Sequence, residues 1–310
     1  MTTALITHSA CLGHVTPAGH PERVARLEAV LRTLDTPEFQ LLERMLAPRA
    51  EREDLLRVHT AAIVDAILGA EIAQGRFGYI DGDTSMSFGS AEAALRAAGA
   101  VTRAVDEIAA GRIGNAFCAV RPPGHHAERN RAMGFCLFNN VAIGALHARA
   151  VHGLVRGAVV DFDVHHGNGT QDIFFGDPDL LYASTHQSPL YPGTGSESEK
   201  GVAGNVVNAP LAPGSGSSQF RAAFDHVLLP ALEAFRPEFI FISAGFDAHR
   251  ADPLAELQLD EEDFGWATRK ICEIAGRVCR GRVVSALEGG YDLDALGRSA
   301  AAHVRALMEA

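Results

Sequence analysis

The segment VVDFDVHHGNGTQDIFF, residues 159–175, places four ionisable side chains within six residues, directly after an apolar run typical of a buried strand. They are Asp161, Asp163, His165 and His166. Buried polar or charged groups are costly unless a partner satisfies them, so these residues either cap local structure or hold a metal ion. Residues two apart in an extended chain point the same way, so the first three share one face.

Asp247, which follows another apolar run, is a further candidate ligand. With Asp163 and His165 it offers two carboxylates and one imidazole and leaves a fourth position for water, as catalytic zinc requires. Iron or manganese also suits this relatively hard set of ligands. The alternative is that the aspartates cap loops and that His165 is a hydrogen-bonded core histidine. We expect a metal site, because several buried charges need partners.

A second candidate group follows the Pro-Pro-Gly sequence at 122–124, which predicts a rigid turn. This turn positions the adjacent residues His125 and His126, whose imidazoles suit proton transfer at neutral pH. Gly134 and Phe135 come shortly afterwards and predict an apolar wall beside a narrow space. The alternative for the two histidines is a surface doublet.

A third candidate group is LEGGYDL at 287–293. Gly289 and Gly290 permit unusual backbone angles and a close approach of substrate. The Tyr291 hydroxyl can then donate to an oxygen on which negative charge develops. Taken alone, this sequence is equally consistent with an ordinary turn.

Strands that end at these motifs must position them. Most of the predicted strands are apolar throughout, which is typical of parallel strands covered by helices on both faces. Ligands bind outside the carboxyl ends of such strands, so the motifs are predicted to meet in one site. The strands are predicted at 3–7, 116–120, 158–162, 180–184, 239–244 and 283–287, and the last five are followed by RPPGHH, DVHHGN, THQ, GFDAH and EGGY.

Amphipathic segments alternate with these strands and predict an α/β protein. The apolar residues of 90–110 recur at helical spacing and Gly111 follows as a stop signal. Loops rich in Gly, Ser and Pro are predicted at 188–205 and 212–219, and no interdomain linker is evident. Further helices are predicted at 21–34, 53–70, 139–151, 218–235 and 260–280.

The composition excludes several classes of protein. A net charge of −11 argues against a general affinity for nucleic acid or acidic membranes. Five cysteines without a CxxC pair indicate a reduced, cytoplasmic protein rather than a disulfide scaffold. We expect no signal peptide, and no run approaches the roughly 20 apolar residues that span a bilayer.

The motifs together resemble the histone deacetylase superfamily, which also includes acetylpolyamine amidohydrolases and bacterial deacetylase-like amidohydrolases. The resemblance implies one catalytic domain over 1–310. It also implies an arginase-like three-layer α/β fold, with a central, mainly parallel eight-stranded sheet flanked by helices. The matching segments are GHPERVARL (19–27), RPPGHHA (121–127), MGFCLFNN (133–140), DFDVHHGNGTQ (161–171), LYPGTG (190–195), SAGFDAHRADPL (243–254) and LEGGYDL (287–293).

The resemblance assigns metal ligands residue by residue. It implies that Asp163, His165 and Asp247 bind one catalytic Zn²⁺. It also implies a structural K⁺, bound by backbone carbonyls at 161, 163 and 165 and therefore involving Asp161, with Ser184 nearby.

The resemblance also implies catalytic and substrate-binding roles. His125 and His126 handle protons around a zinc-bound water, with the Asp161 carboxylate behind His125. Tyr291 polarises the scissile carbonyl, and Arg26 matches an arginine of an acetate-release channel. An acyl-lysine tunnel is implied around Gly134 and Phe135, with His186 as a tunnel-side partner, and Gly289 and Gly290 are predicted to contact substrate.

Two residues depart from the class I pattern and match class II and bacterial enzymes. Asn168 lies behind His126 where class I enzymes carry an aspartate, and Glu288 replaces the first of three glycines. A neutral partner leaves His126 easier to deprotonate than a carboxylate would, so the sequence leaves open which histidine is the base. Tyr291, where a weakly active branch has histidine, favours a working hydrolase.

The predicted substrate is acetyl-lysine in proteins, and the alternative is an acetylated polyamine or another small amide. Rim loops at 10–22, 76–90 and 186–200 decide between them, and Asp81 and Asp83 are predicted to grip a peptide backbone or polyamine amines. An equally good alternative for both carboxylates is a solvated turn. A catalytically silent acyl-lysine-binding protein is less consistent with Tyr291, and a two-metal hydrolase would need more carboxylates. A homo-oligomer, dimer or tetramer, is also expected.

Overall fold

The computed structural model describes residues 2–310, and eight of its strands form one parallel sheet. Two further strands form a small antiparallel hairpin. In chain order the strands are β1 (Thr3–Thr7), β2 (Glu43–Leu46), β3 (Gly78–Tyr79), β4 (Ser85–Met86), β5 (Asn115–Cys118), β6 (Gly157–Asp161), β7 (Leu180–Gln187), β8 (Val206–Leu211), β9 (Phe239–Ala244) and β10 (Val283–Leu287).

The order of strands in the main sheet is β2-β1-β5-β10-β9-β6-β7-β8. This confirms the predicted arginase-like sheet of eight strands, with every pairing parallel. Asp161, the last residue of β6, lies opposite Ser243, the penultimate residue of β9, and opposite Ser184 of β7, which continues to Gln187. The loops that follow β6 and β9 therefore leave the sheet side by side.

Ten α-helices are present in the described residues, and they flank the sheet. α4 packs on α5, while α10 packs on both α9 and α1. A π-helical turn at Phe224–Leu228 joins α7 to α8. The helices are α1 (Val24–Thr33), α2 (Arg52–Val58), α3 (Ala61–Leu68), α4 (Ser90–Ala109), α5 (Asn140–His152), α6 (Asn168–Phe174), α7 (Ser217–Ala223), α8 (Leu229–Phe235), α9 (Glu261–Val278) and α10 (Leu293–Met308).

The two strands of the main sheet that sequence analysis missed are its two edges, and the short hairpin strands β3 and β4 were also not predicted. β2 is largely exposed, and β8 contains Pro210. Edge strands need no continuous apolar run, and proline is tolerated there because one side of the strand makes no ladder hydrogen bonds. The apolar pattern therefore predicted only the strands with a neighbour on each side.

The single helix predicted at 53–70 was wrong, because the structure contains α2 and α3 separated at His59 and Thr60. The His59 ring bridges two distant segments: Nδ1 lies 3.0 Å from the Glu128 carbonyl, and Nε2 accepts from the Asn139 N–H at 2.9 Å. His59 adopts extended backbone angles, which end α2. α6 and α10 were not predicted at all.

No helix in the described part of the chain is long and apolar enough to cross a membrane. All five cysteines are unpaired and buried.

Candidate active site

Two loops that leave neighbouring strands bring together the predicted metal ligands. Asp163 and His165 follow β6, and Asp247 follows β9. Nδ1 of His165 is 3.1 Å from Oδ1 of Asp163 and 3.2 Å from Oδ2 of Asp247. One ligand atom from each of the three side chains lies within 4.8 Å of the others, and all three residues are buried. The sequence prediction of their proximity is correct.

The backbone orients the two carboxylates. Asp163 accepts a hydrogen bond from the Gly289 N–H at 2.8 Å, and Asp247 accepts one from the Val164 N–H at 2.9 Å. A side chain at Gly289 would overlap both carboxylates, so glycine is required there. The second glycine, Gly290, has φ of 120°, a conformation that side chains rarely adopt.

The electrostatics of this group call for a cation. Burial disfavours charge on His165, but hydrogen bonds to Asp163 and Asp247 outweigh burial and raise the pKa of His165 to about 10. Burial and the neighbouring Asp163 raise the pKa of Asp247. Two buried carboxylates thus share one imidazole, and a divalent metal ion satisfies such a set of two oxygen donors and one nitrogen donor.

Glu288 holds the turn that carries the two adjacent histidines. Its Oε2 accepts from the Gly124 N–H at 2.6 Å and the His125 N–H at 3.2 Å. The side chain is fully buried, and burial raises the pKa of Glu288 to about 7 against the opposing effects of His125 and Gly124. Sequence analysis noted Glu288 only as a departure from a glycine pattern and missed this contact.

His125 faces two carboxylates. Its Nδ1 is 3.0 Å from Asp161 Oδ2, and its Nε2 is 3.8 Å from Asp163 Oδ1. Burial opposes a charge on the ring, but the two aspartates outweigh it and raise the pKa of His125 to about 10. Asp161 is held by the Tyr182 hydroxyl and the Asp163 N–H, so its carboxylate is fixed behind His125.

His126 has a neutral partner that settles its tautomer. Nδ1 lies 2.8 Å from Asn168 Oδ1, and Asn168 Nδ2 donates to Glu128 Oε1 at 2.7 Å. The amide therefore presents its oxygen to His126, so Nδ1 carries the proton and Nε2 carries the lone pair. Burial, together with nearby His125 and His165, lowers the pKa of His126 well below its usual value.

Aromatic rings stand around these histidines. Phe135 lies with its ring centroid 6.1 Å from that of Tyr291, and His20 packs on Phe135 at 4.7 Å. Tyr191 approaches the His126 ring at 5.2 Å. Gly134, with φ of 57°, lies so close to the His126 ring that a side chain there would overlap it. Sequence analysis did not single out Tyr191, although it is the sole aromatic residue in the 188–205 loop.

Both the backbone and the ring of Tyr291 make contacts that fix its position. Its N–H donates to Asp252 Oδ2 at 2.7 Å, and the Arg26 guanidinium lies 4.9 Å from the ring centroid. Arg26 also donates to the carbonyls of Gly290 and Glu288, both at 2.5 Å. Arg26 thus fixes the loop on both sides of the two glycines.

The two candidate rim carboxylates belong to a structured turn beside the aromatic rings. Asp81 Oδ1 accepts from the N–H groups of Asp83 and Thr84, at 3.1 and 2.7 Å. Thr84 Oγ1 donates to Asp83 and accepts from the Phe135 N–H. Both aspartates line a surface depression together with Tyr191. The turn at 81–84 is therefore hydrogen-bonded to Phe135, one of the aromatic residues around the histidines.

The position of His186 does not agree with the predicted contact with substrate. Its Nδ1 is 3.0 Å from Ser184 Oγ, and its Nε2 is 2.9 Å from the Gly195 carbonyl. The ring is buried against His166, with 4.8 Å between centroids. Both ring nitrogens thus have protein partners, so we remove His186 from the candidate site.

Comparison with known proteins gives a consistent result. The family model described as histone deacetylase domain matches residues 20–307. A probable deacetylase of Methanothermobacter thermautotrophicus is 43% identical, over 98% of this chain and 90% of its own length. A histone deacetylase-like amidohydrolase of Pseudomonas aeruginosa is 42% identical, over 88% and 73%. The crystal structure of the HDA15 HD domain superposes with a TM-score of 0.93 at 39% identity, covering 99% of this chain and 88% of that one.

Proposed function

The chain belongs to the histone deacetylase family and is a hydrolase that acts on amides; we propose that it is a zinc-dependent deacetylase whose main substrate is acetyl-lysine in proteins. The observation that carries this proposal is the buried Asp163, His165 and Asp247 group beside two histidines of opposite pKa shift. Residues 1–310 are proposed to be one catalytic domain, because the eight-stranded sheet uses strands from both ends of this range.

Zinc would be held by Asp163, His165 and Asp247. When bound, it supplies a Lewis acid that polarises the amide carbonyl and lowers the pKa of a coordinated water toward roughly 7. The two fixed carboxylates and the imidazole are the kind of set that a catalytic zinc site uses, with room for further ligands.

His126 is the proposed general base. Its Nδ1 proton is committed to Asn168, so the Nε2 lone pair is free to accept a proton from the attacking water. The lowered pKa of His126 keeps that lone pair unprotonated at neutral pH. These contacts support His126 for the role of base, which the sequence left open between the two histidines.

His125 is the proposed general acid. The Asp161 and Asp163 carboxylates favour its charged form, so it holds a proton that can pass to the departing amine. Asp161 acts through His125 by fixing ring orientation, and Asn168 does the same for His126.

Tyr291 is the proposed donor to the oxygen of the tetrahedral intermediate. A hydroxyl already in place before the charge develops needs no rearrangement, which is the main source of stabilisation in such sites. Arg26 and Asp252 hold the residue in position. Phe135 packs beside the Tyr291 ring, and Tyr191 packs beside His126.

Acetylated polyamines remain the second candidate substrates, and a specific observation favours keeping them. The Asp81 and Asp83 carboxylates line the same depression as Tyr191, where they would attract a cationic chain. The same carboxylates could accept hydrogen bonds from the backbone N–H groups of a peptide, so they do not decide between the two.

The test measures amine release by zinc-loaded protein from an acetyl-lysine peptide, N-acetylputrescine and N-acetylspermidine at matched concentrations. A higher kcat/KM for the peptide supports lysine deacetylation, and a higher value for the polyamines selects the alternative. Release of amine from none of them, with zinc bound, would instead support a silent acyl-lysine-binding protein.

A charge-matched pair of variants examines the rim. Asp83→Asn should lower kcat/KM for the polyamines more than for a peptide without net charge, if polyamines are the substrates. Asp225→Asn makes the same change of charge at an exposed position in the turn between α7 and α8 and serves as the control.

Three further predictions are parts of the proposal. The K⁺ site stays a prediction, with Ser184 next to Asp161 in the sheet register as its support. Cytoplasmic location is consistent with five unpaired cysteines. The homo-oligomer, dimer or tetramer, stays a prediction.

A further inference from the structure

A second set of metal-ligand side chains lies outside the candidate active site, where helices α4 and α5 pack together. Asp106 comes from α4, and His147 and His152 come from α5. Nε2 of His147 is 2.8 Å from Asp106 Oδ1, and Nε2 of His152 is 2.6 Å from the same oxygen. One ligand atom from each residue lies within 4.8 Å of the other two. We call these three residues the α4–α5 cluster.

A buried carboxylate supports the cluster from behind. Asp54 of α2 lies 2.8 Å from Nδ1 of His147 and is 5% exposed. Because a carboxylate can only accept, Nδ1 of His147 carries a proton. Metal-binding histidines almost always donate their second N–H to such a group, which fixes the ring and its tautomer.

Without a metal ion, a proton on each ring nitrogen of His147 satisfies both carboxylates. Burial opposes a charge on the ring, but hydrogen bonds to Asp106 and Asp54 outweigh it and raise the pKa of His147 to about 9. Nε2 of His152 converges on the same Asp106 oxygen. A metal ion that displaces the proton from Nε2 of His147 would contact all three ligand atoms, while Asp54 keeps the proton on Nδ1.

Charge and access fit a divalent ion. Asp54 and Asp106 contribute two negative charges, and Arg57 pairs with Asp54, so the group carries one net negative charge when both histidines are neutral. The side chains of Asp106 and His152 are 42% and 25% exposed, which opens one side to solvent. An ion can therefore enter from solvent and keep water ligands on the open side.

We propose that the α4–α5 cluster is a second metal site, which binds a divalent ion of the zinc type through Nε2 of His147, Nε2 of His152 and the Asp106 carboxylate. Two imidazoles with one carboxylate favour zinc, cobalt or nickel over calcium and magnesium. The ion ties the end of α5 to α4.

The site is separate from the amide-hydrolysing centre. Asn140 at the start of α5 donates to the Pro122 carbonyl, next to the histidine pair. His152 is at the other end of that helix, about 18 Å along the axis at 1.5 Å per residue. Loss of the cluster should therefore remove one metal ion without removing the catalytic one.

The test counts Zn²⁺ retained by the chelator-treated and reloaded protein after gel filtration, using elemental analysis. His152→Ala should bind one equivalent fewer than the wild type and keep amidase activity within about twofold. Asp106→Asn, which preserves shape and removes charge, should also lose one equivalent. His226→Ala, a change at an exposed histidine in the turn between α7 and α8, should match the wild type.

The readout is the difference in bound zinc between the wild type and His152→Ala. The test therefore does not depend on whether the catalytic site also binds zinc. An anomalous difference peak at the zinc edge among Asp106, His147 and His152 would locate the ion. Equal zinc content in the wild type, His152→Ala and Asp106→Asn, with all three folded by circular dichroism, would show that the cluster is only a hydrogen-bonded network.

Discussion

The tautomer of His126 is the most consequential detail at the scale of single residues. It is set by an amide, Asn168, whose own orientation is set by Glu128. This chain of two hydrogen bonds leaves Nε2 of His126 unprotonated in the pocket. His125, only one residue away, faces carboxylates and takes the opposite state. Adjacent identical side chains are thus given different chemistry by their partners.

Replacing Asn168 with aspartate tests whether this side chain controls the protonation of His126. Asn168→Asp places a negative charge 2.8 Å from Nδ1 of His126, which should raise the pKa of the ring. The base must be unprotonated to act, so the acidic limb of the kcat/KM profile should move to higher pH. Asn168→Ala, which removes the hydrogen bond without adding charge, is the control and should not produce this upward shift. If the acidic limb of the kcat/KM profile does not move in Asn168→Asp, a residue other than His126 is the base.

Tyr291→Phe tests the proposed oxyanion donor. The phenyl ring preserves packing under Arg26 and beside Phe135, so substrate binding should change little. Loss of the hydroxyl should lower kcat by about 10²–10³-fold, which is typical for one such donor. Steady-state kinetics on the preferred substrate measure both parameters. A variant with wild-type kcat would contradict the role of Tyr291.

At this scale, sequence analysis correctly predicted that Asp163, His165 and Asp247 lie close together, because they lie at strand ends where a parallel sheet must bring them together. It could not identify the function of Glu288 or the place of Tyr191. Each depends on contacts across more than 60 residues, with Gly124 and His126 respectively. Local spacing contains no information on such contacts.

At the scale of elements, helix packing depends on glycines that keep backbones close. Gly99 in the middle of α4 faces the backbone at Pro48 and Ala50, and Gly144 of α5 faces Val101 and Phe241. Neither position could be interpreted from the sequence, because glycine inside a helix usually only weakens it. The same limitation explains the break between α2 and α3, where tertiary contacts of His59 outweigh local helix propensity.

Gly99→Ala should destabilise the protein. The added methyl group would overlap the Pro48 carbonyl oxygen, a backbone atom that cannot move independently. Overpacking of this kind costs about 1–3 kcal/mol in free energy of unfolding. The matched control is Gly276→Ala in α9, where a methyl group meets no atom within 4 Å. It should stabilise the protein by up to about 1 kcal/mol, from helix propensity. Urea unfolding of both variants measures the change in free energy of unfolding relative to the wild type. Changes of the same sign in the two variants would contradict the packing argument.

At the scale of the whole molecule, several histidines are buried in neutral form. Burial is the largest cause in each case and lowers the pKa of His59 to about 4, of His166 to about 3, of His186 to about 4 and of His303 to about 3. The unfolded chain binds protons at these residues near pH 6.5, while the folded chain does not. Their contribution to stability is therefore complete above pH 6.5 and is lost as pH falls from 6.5 toward 3.

His59→Gln tests this dependence. An amide can replace both hydrogen bonds of the ring, but it does not titrate. The variant should lose stability more slowly between pH 6.5 and 4.5, by about 1.4 kcal/mol per pH unit at most. Urea unfolding at a series of pH values gives the slope. The same substitution at exposed His226 should leave the slope unchanged, and equal slopes for both variants would contradict the assignment to His59.

The order of strands has a consequence for synthesis on the ribosome. β10, the last strand to be made, lies between β5 and β9. Until it emerges, the chain holds two blocks of sheet, β2-β1-β5 and β9-β6-β7-β8, whose inner edge strands are apolar and unpaired. At about 5–20 residues per second, translation from Ala244 to Val283 leaves those edges open for about 2–8 s. Such edges invite association with other chains. Gly289 and Tyr291 are translated immediately after β10. A nascent chain therefore completes its main sheet and its candidate active site at nearly the same point in synthesis.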